Sequence, residues 1–176
     1  MKLQARSYKL EATRGYTLVE AIIYIAILAM LVVVFIQLLF SLTRSYASFR
    51  LARDLVSSSG AALDRMISEI RRAESIDVSS TLGVSPGHLV LNTTDEGGEA
   101  TTVDFYLSNN ALMVEEGGGS VASTTSARVT VDNLVFRQIT TAESSAVKVE
   151  LTLSAARGAV TRTAKFYTTA VLRGSY

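Results

Sequence analysis

The 176-residue chain has no cysteine and no tryptophan, one proline and one histidine. Without cysteine there is no disulfide framework, thiolate nucleophile or zinc–thiolate centre. A Ser-His-Asp arrangement would have to use His88, whose Pro86-Gly87-His88 context has no nucleophile-site pattern. His88 therefore reads as a satisfied surface or strand-start residue, and no catalytic residue or cofactor site is expected. Charge is scarce as well as balanced, at 17 basic and 16 acidic residues. No Lys/Arg-rich block follows the first fifteen residues, so nucleic acid is not an expected partner. With no proline before Pro86, nothing of that kind interrupts the first half of the chain.

What is present is an apolar run. From Ala21 to Thr43 there is no charged residue. About 20 apolar residues in a helix cross the ~30 Å hydrocarbon core. A helix apolar on all sides belongs in a membrane or in the core of a large protein, and the remaining chain is too small to enclose one. A cleaved secretory signal has a shorter apolar region, ~7–15 residues, and a small-residue cleavage site. One carboxylate, Glu20, stands at the start of the run, where Thr17 is placed to cap the helix. An ionisable group inside a membrane helix is costly and reads as functional. It needs a positive partner, and Lys2, Arg6, Lys9 and Arg14 all lie outside the apolar part. A cut after Gly15 would create one. The new amine of Tyr16 would sit four residues before Glu20, ~6 Å along a helix, to pair with Glu20 of the same chain or of a neighbour.

Gly15-Tyr16-Thr17-Leu18-Val19-Glu20 with the apolar run resembles the N-terminal motif of type IV pilins and of the pseudopilins of type II secretion. The resemblance implies a basic leader, residues 1–15, cut between Gly15 and Tyr16 by a membrane prepilin peptidase. The same enzyme methylates the new amine of Tyr16. It implies that Glu20 is required for assembly with other subunits on an inner-membrane platform, the helix resting in membrane lipid beforehand. Two departures stand out. Tyr16 replaces the usual phenylalanine, and Gln37 stands where many major pilins have a proline, which points to a minor subunit or pseudopilin. Many major pilins also close a C-terminal loop with a disulfide, and this chain has no cysteine to do so.

The rest of the chain reads as an amphipathic helix over 41–76 and a β-sheet domain over 77–176, after a transmembrane helix over 16–40. Tyr46, Phe49, Ala52, Val56, Leu63, Met66, Ile67 and Ile70 recur at helical spacing as the expected core-facing stripe. Arg50 and Asp54 are spaced to pair, and Ser57 to Gly60 is a place for a kink. Unbroken, the helix would run ~85 Å at 1.5 Å per residue. Ser79 to Gly87 is a loop. Thereafter the period falls to two, with strands expected at His88–Leu91, Thr101–Leu107, Ala111–Glu115, Arg128–Ile139, Val147–Ser154 and Val160–Arg173. Ser108-Asn109-Asn110 and Arg157-Gly158 are turns, and Asp132-Asn133 marks a bulge or turn. Strands gathered after a helix predict an α+β class, a long N-terminal helix packed on an antiparallel sheet. Val131–Phe136, Val147–Leu153 and Phe166–Arg173 resemble strand segments of minor pseudopilins of the J type.

Asp95, Glu96 and Glu99 form a Gly-rich acidic loop. Carboxylates on such a loop can bind calcium, but their spacing fits no calcium loop, and a solvated acidic loop is the expectation; Glu115-Glu116 reads the same way. Positive residues tend to stay cytoplasmic, which places the leader inside, although Arg44, Arg50 and Arg53 reduce the asymmetry. The expected product is a single-pass inner-membrane protein with an extracytoplasmic or periplasmic domain that enters a pilus or pseudopilus. It would act as a structural subunit, for type II protein secretion or as a minor type IV pilin in adhesion, motility or DNA uptake. Two other classes compete: a signal-anchored binding domain that never polymerises and, last, an enzyme.

Overall fold

The computed structural model describes residues 15, 17–95, 97–142 and 144–173. The chain forms two compact units that divide between Thr43 and Arg44. One helix, α1 (Leu18–Arg72), crosses the division.

In the first unit α1 is bare. Every residue from Ala21 to Thr43 is exposed. The helix is long and apolar enough to span a membrane. Of its described neighbours, none removes this surface from water.

In the second unit α1 continues without a break through Gly60 to Arg72. The helical hydrogen bonding is uninterrupted at Ser57 to Gly60. The buried face agrees with the expected stripe at Met66 and Ile70, with Leu63 and Ile67 partly buried against the core, and departs from it nearer the apolar run. Leu51, Leu55, Ser58, Ser59, Ala62, Met66, Glu69 and Ile70 are buried, whereas Tyr46, Phe49 and Val56 are exposed. The spacing is helical in both cases, but the register follows the small residues. Ser58, Ser59 and Ala62 are all buried, and the Ser58 hydroxyl accepts the N–H of Ser126, in the loop before β6, at 3.1 Å. The expected Arg50–Asp54 pair is not made. Arg50 turns back one turn, donating to the Tyr46 hydroxyl at 2.6 Å with its guanidinium 4.6 Å from the ring centroid. The helix ends at Arg72, short of residue 76, because Ser75–Ile76 is already a strand, β1, paired with Asn92 and Leu91.

The strands make two antiparallel sheets instead of one. The first orders β1, β2 (Leu89–Thr94), β3 (Ala100–Ser108), β4 (Ala111–Glu116) and β5 (Ser120–Ser123). The second orders β6 (Thr130–Thr140), β7 (Ser145–Arg157) and β8 (Val160–Val171). The α+β class stands, with β5 and the division into two sheets added to the expectation. The β3–β4 hairpin turns on Asn109 and Asn110, both at positive φ (50° and 59°), a conformation asparagine tolerates and a two-residue hairpin needs. The register of β6 on β7 shifts between Val131 and Asn133, a bulge where Asp132-Asn133 marked one.

The core is continuous within this unit. Leu55, Met66 and Ile70 of α1 pack with Leu89, Leu91 and Phe105 of the first sheet and Leu134, Phe136, Leu151 and Leu153 of the second. Along β7 the buried positions alternate from Val147 to Ala155, the pattern of a sheet with one face on a core. The 79–88 segment closes one edge of β6: Gly83 and Gly87 donate their N–H groups to the carbonyls of Phe136 and Leu134, at 2.7 and 2.8 Å. Gly87 is there because of close approach. A Cβ would lie 3.0 Å from the Phe136 ring and 3.1 Å from the Leu134 carbonyl oxygen.

Candidate functional site

The first turn of α1 holds the site residue that sequence singled out. Thr17 stands one residue before the helix, and its hydroxyl oxygen accepts the Glu20 N–H at 3.2 Å, while its carbonyl accepts the Ala21 N–H at 3.1 Å. Thr17-Leu18-Val19-Glu20 is the spacing of a capping box, in which the glutamate side chain would reach back to the cap residue's N–H. Here the carboxylate goes the other way: Oε1 of Glu20 accepts the Tyr24 hydroxyl at 2.8 Å, one turn further on.

The local chemistry follows from that choice. The positive end of the helix dipole favours an anion in the first turn, and one carboxylate oxygen holds a phenol, which is neutral. Among the described residues Glu20 takes part in no ion pair, although ion pairs form elsewhere around Arg65, Arg137 and Lys148. An ionised carboxylate accepts through two oxygens with about four lone-pair sites, so it keeps capacity for a cation. Tyr24 is a single tyrosine within the apolar run, and no motif in the sequence marks it. Its i, i+4 spacing from Glu20 was the available signal.

Of the other processing residues, Gly15 is exposed, and a Cβ there would meet nothing within 4 Å among the described residues. Tyr16 and the leader residues 1–14 lie outside the described residues.

Three further polar groupings belong to the sheet domain. Asp95 Oδ1 accepts the N–H groups of Gly97 (2.8 Å) and Glu99 (2.9 Å), so this carboxylate is spent on its own loop; Glu96 lies outside the described residues. No three His, Asp or Glu side chains converge to hold a metal ion among the described residues. His88 stands just before β2, its Nε2 3.6 Å from Asp104 Oδ2 and its ring edge-on to Tyr106. Burial, then the nearby Glu115 charge, raises the Tyr106 phenol above its ordinary value, which makes it a poorer acid. The third grouping surrounds Glu69, which is 5% exposed. Arg65 lies 3.2 Å from Glu69 and also meets Glu116 at the end of β4; Arg72 is 3.9 Å away. That grouping ties α1 to the first sheet.

The chain matches no family model, no curated protein and no solved structure.

Proposed function

We propose that the chain is a non-catalytic structural subunit of a type IV pilus-like filament, a minor pilin or pseudopilin, serving type II protein secretion. In this reading prepilin peptidase cuts between Gly15 and Tyr16 and methylates the Tyr16 amine. The subunit waits as a single-pass inner-membrane protein with its sheet domain outside the cytoplasm. It then joins other subunits, on an inner-membrane assembly platform, through the first half of α1.

The observation that carries the reading is the state of Glu20. It is a lone carboxylate in the first turn of a helix whose next 23 residues are uncharged and exposed, and its described partner is a phenol. A neighbouring subunit's Tyr16 amine supplies the missing charge. An unpaired carboxylate moved out of water is heavily penalised, while a paired one is tolerated. The pairing therefore selects correct docking more than it adds affinity. Once docked, the exposed Ile, Leu, Val and Phe side chains of neighbouring helices cover one another.

Two measurements test this. Intact mass with and without the peptidase reads processing, and a mature chain that begins anywhere other than Tyr16 refutes the cleavage. Glu20→Ala is expected to insert into membranes normally and fail to enter filaments. Normal filaments from that variant would favour an anchored domain that never uses Glu20.

A further inference from the structure

The second unit carries an unneutralised basic cleft next to exposed aromatics. Tyr46 is 59% exposed and Phe49 75%. They line one cleft with Arg50, Arg53, Asp54, Arg128 and Arg157. Its cations come from three separate segments: α1, the turn before β6 and the end of β7. Four arginines and one aspartate line it. No ion pair among the described residues involves any of them, in contrast to Arg65, Arg72 and Arg137. Arg50 is engaged with Tyr46, and the side chains of Arg53, Arg128 and Arg157 make no hydrogen bond among the described residues. Four like charges gathered by the fold around one acid repel one another, and an anion relieves that repulsion.

The covalent chain limits where that anion can come from. Arg50 is seven residues past Thr43, the last residue of the uncharged run. Seven residues reach ~10 Å as helix and at most about 25 Å fully extended. Part of the cleft is therefore tethered close to where the apolar run ends, whatever the arrangement of the two units. Headgroup layers begin at that boundary, and tyrosines concentrate there because one end of the ring is apolar and the other wet. Guanidinium forks bind phosphate oxygens in pairs.

We propose that this cleft seats the phosphate of an anionic phospholipid headgroup from the membrane that α1 enters. The inference rests on residues 21–43 spanning a membrane and does not require that the chain polymerise. Lipid is favoured over a second copy of the chain because the tether and the flanking aromatics suit a bilayer surface.

The test uses the full chain in nanodiscs of phosphatidylcholine with a rising fraction of phosphatidylglycerol. Because the chain has no cysteine, Ala127→Cys, at an exposed position beside Arg128, gives one labelled site. A fluorophore there is read against a headgroup-level quencher lipid. Quenching is expected to saturate with phosphatidylglycerol. Arg128→Gln and Arg157→Gln should each raise the half-saturating fraction roughly five-fold, while Arg71→Gln, at an exposed arginine outside the cleft, leaves it unchanged. Quenching that is equal in phosphatidylcholine alone, or indifferent to Arg128→Gln and Arg157→Gln, overturns the proposal. Loss of the lipid dependence in millimolar inorganic phosphate overturns it in favour of a free anion, and dependence on two chains per disc does so in favour of a copy contact. Glu20→Ala should leave the titration intact, so failure of filament assembly and failure of lipid binding are read separately.

Discussion

The two halves of α1 share one backbone and differ in what their side chains are given to touch. From Ala21 to Thr43 every residue is exposed; from Leu51 to Ile70 one face is buried under strands of the same chain. Their carboxylates repeat the contrast. Glu69 is buried between Arg65 and Arg72, whereas Glu20 has a phenol from its own helix and no ion pair among the described residues. The second half is self-sufficient. The first is stable in water only with a covering from outside, lipid or other helices, because a bare apolar face of that length is a binding surface or an aggregation hazard. The lesson is that burial, not helicity, separates scaffold from interface here.

The sharpest way to break this comparison is to truncate a side chain in each region. Phe136→Ala removes a fully buried ring from the core and should cost about 3–5 kcal/mol. Val33→Ala removes exposed methyl groups and should leave domain stability within about 0.5 kcal/mol. Denaturant unfolding of the sheet domain in detergent, followed by circular dichroism, measures both. Comparable losses at the two sites would mean that the first half of α1 contributes to the core.

A smaller effect is expected at the buried carboxylate. Glu69→Ala leaves Arg65 with Glu116 alone and should cost about 1–3 kcal/mol in the same assay, since Arg65 is itself partly exposed. A variant as stable as the parent would show that Glu69 does not tie α1 to the first sheet.

The smallest effect is a pH dependence confined to the sheet domain. The Ser79 backbone N–H, followed by its hydroxyl, holds the Asp77 carboxyl below its ordinary 3.8. The hydrogen bond from Lys148 holds Glu150 below its ordinary 4.5. Both groups bind a proton more weakly in the folded chain than in the unfolded one. Their contribution is present above those ordinary values and is lost as pH falls through the lowered folded ones. The denaturant midpoint should therefore decline on acidification below about pH 4.5, with the decline flattened in Asp77→Asn and Glu150→Gln. A decline identical in the double variant would assign the acid sensitivity to other carboxylates.

Much of this architecture was legible in sequence, for physical reasons that also mark where legibility stops. The apolar run is uncharged without a break from Ala21 to Thr43 and the alternation from Val147 to Leu153 has a clean period of two, and both elements form where expected. Asn109-Asn110 and Asp132-Asn133 encode local backbone geometry and became a hairpin turn and a bulge. β5 was not legible: Ser120–Ser123 is exposed throughout and is a strand only because β4 offers it an edge. The stripe of α1 is legible at Met66 and Ile70, which are buried, and at Leu63 and Ile67, which pack on the core; the buried Ser58 and Ser59 are polar by type, and periodicity of apolar residues does not mark them. At the site, Glu20 stands out as the one carboxylate adjoining the uncharged run. Its bond to Tyr24 needed the helix register, and the gathering of Arg50 with Arg128 and Arg157 depends on tertiary folding that no local pattern encodes.

The most direct test of the contrast uses the absence of cysteine. Single cysteines scanned through residues 25–40, Val33→Cys among them, are oxidised in the processed, assembled state and run without reductant. Inter-chain disulfides are expected along one face of this half of α1, abolished by Glu20→Ala in the same membranes. Filaments that form without any such cross-link, or cross-links that persist unchanged with Glu20→Ala, would contradict that expectation.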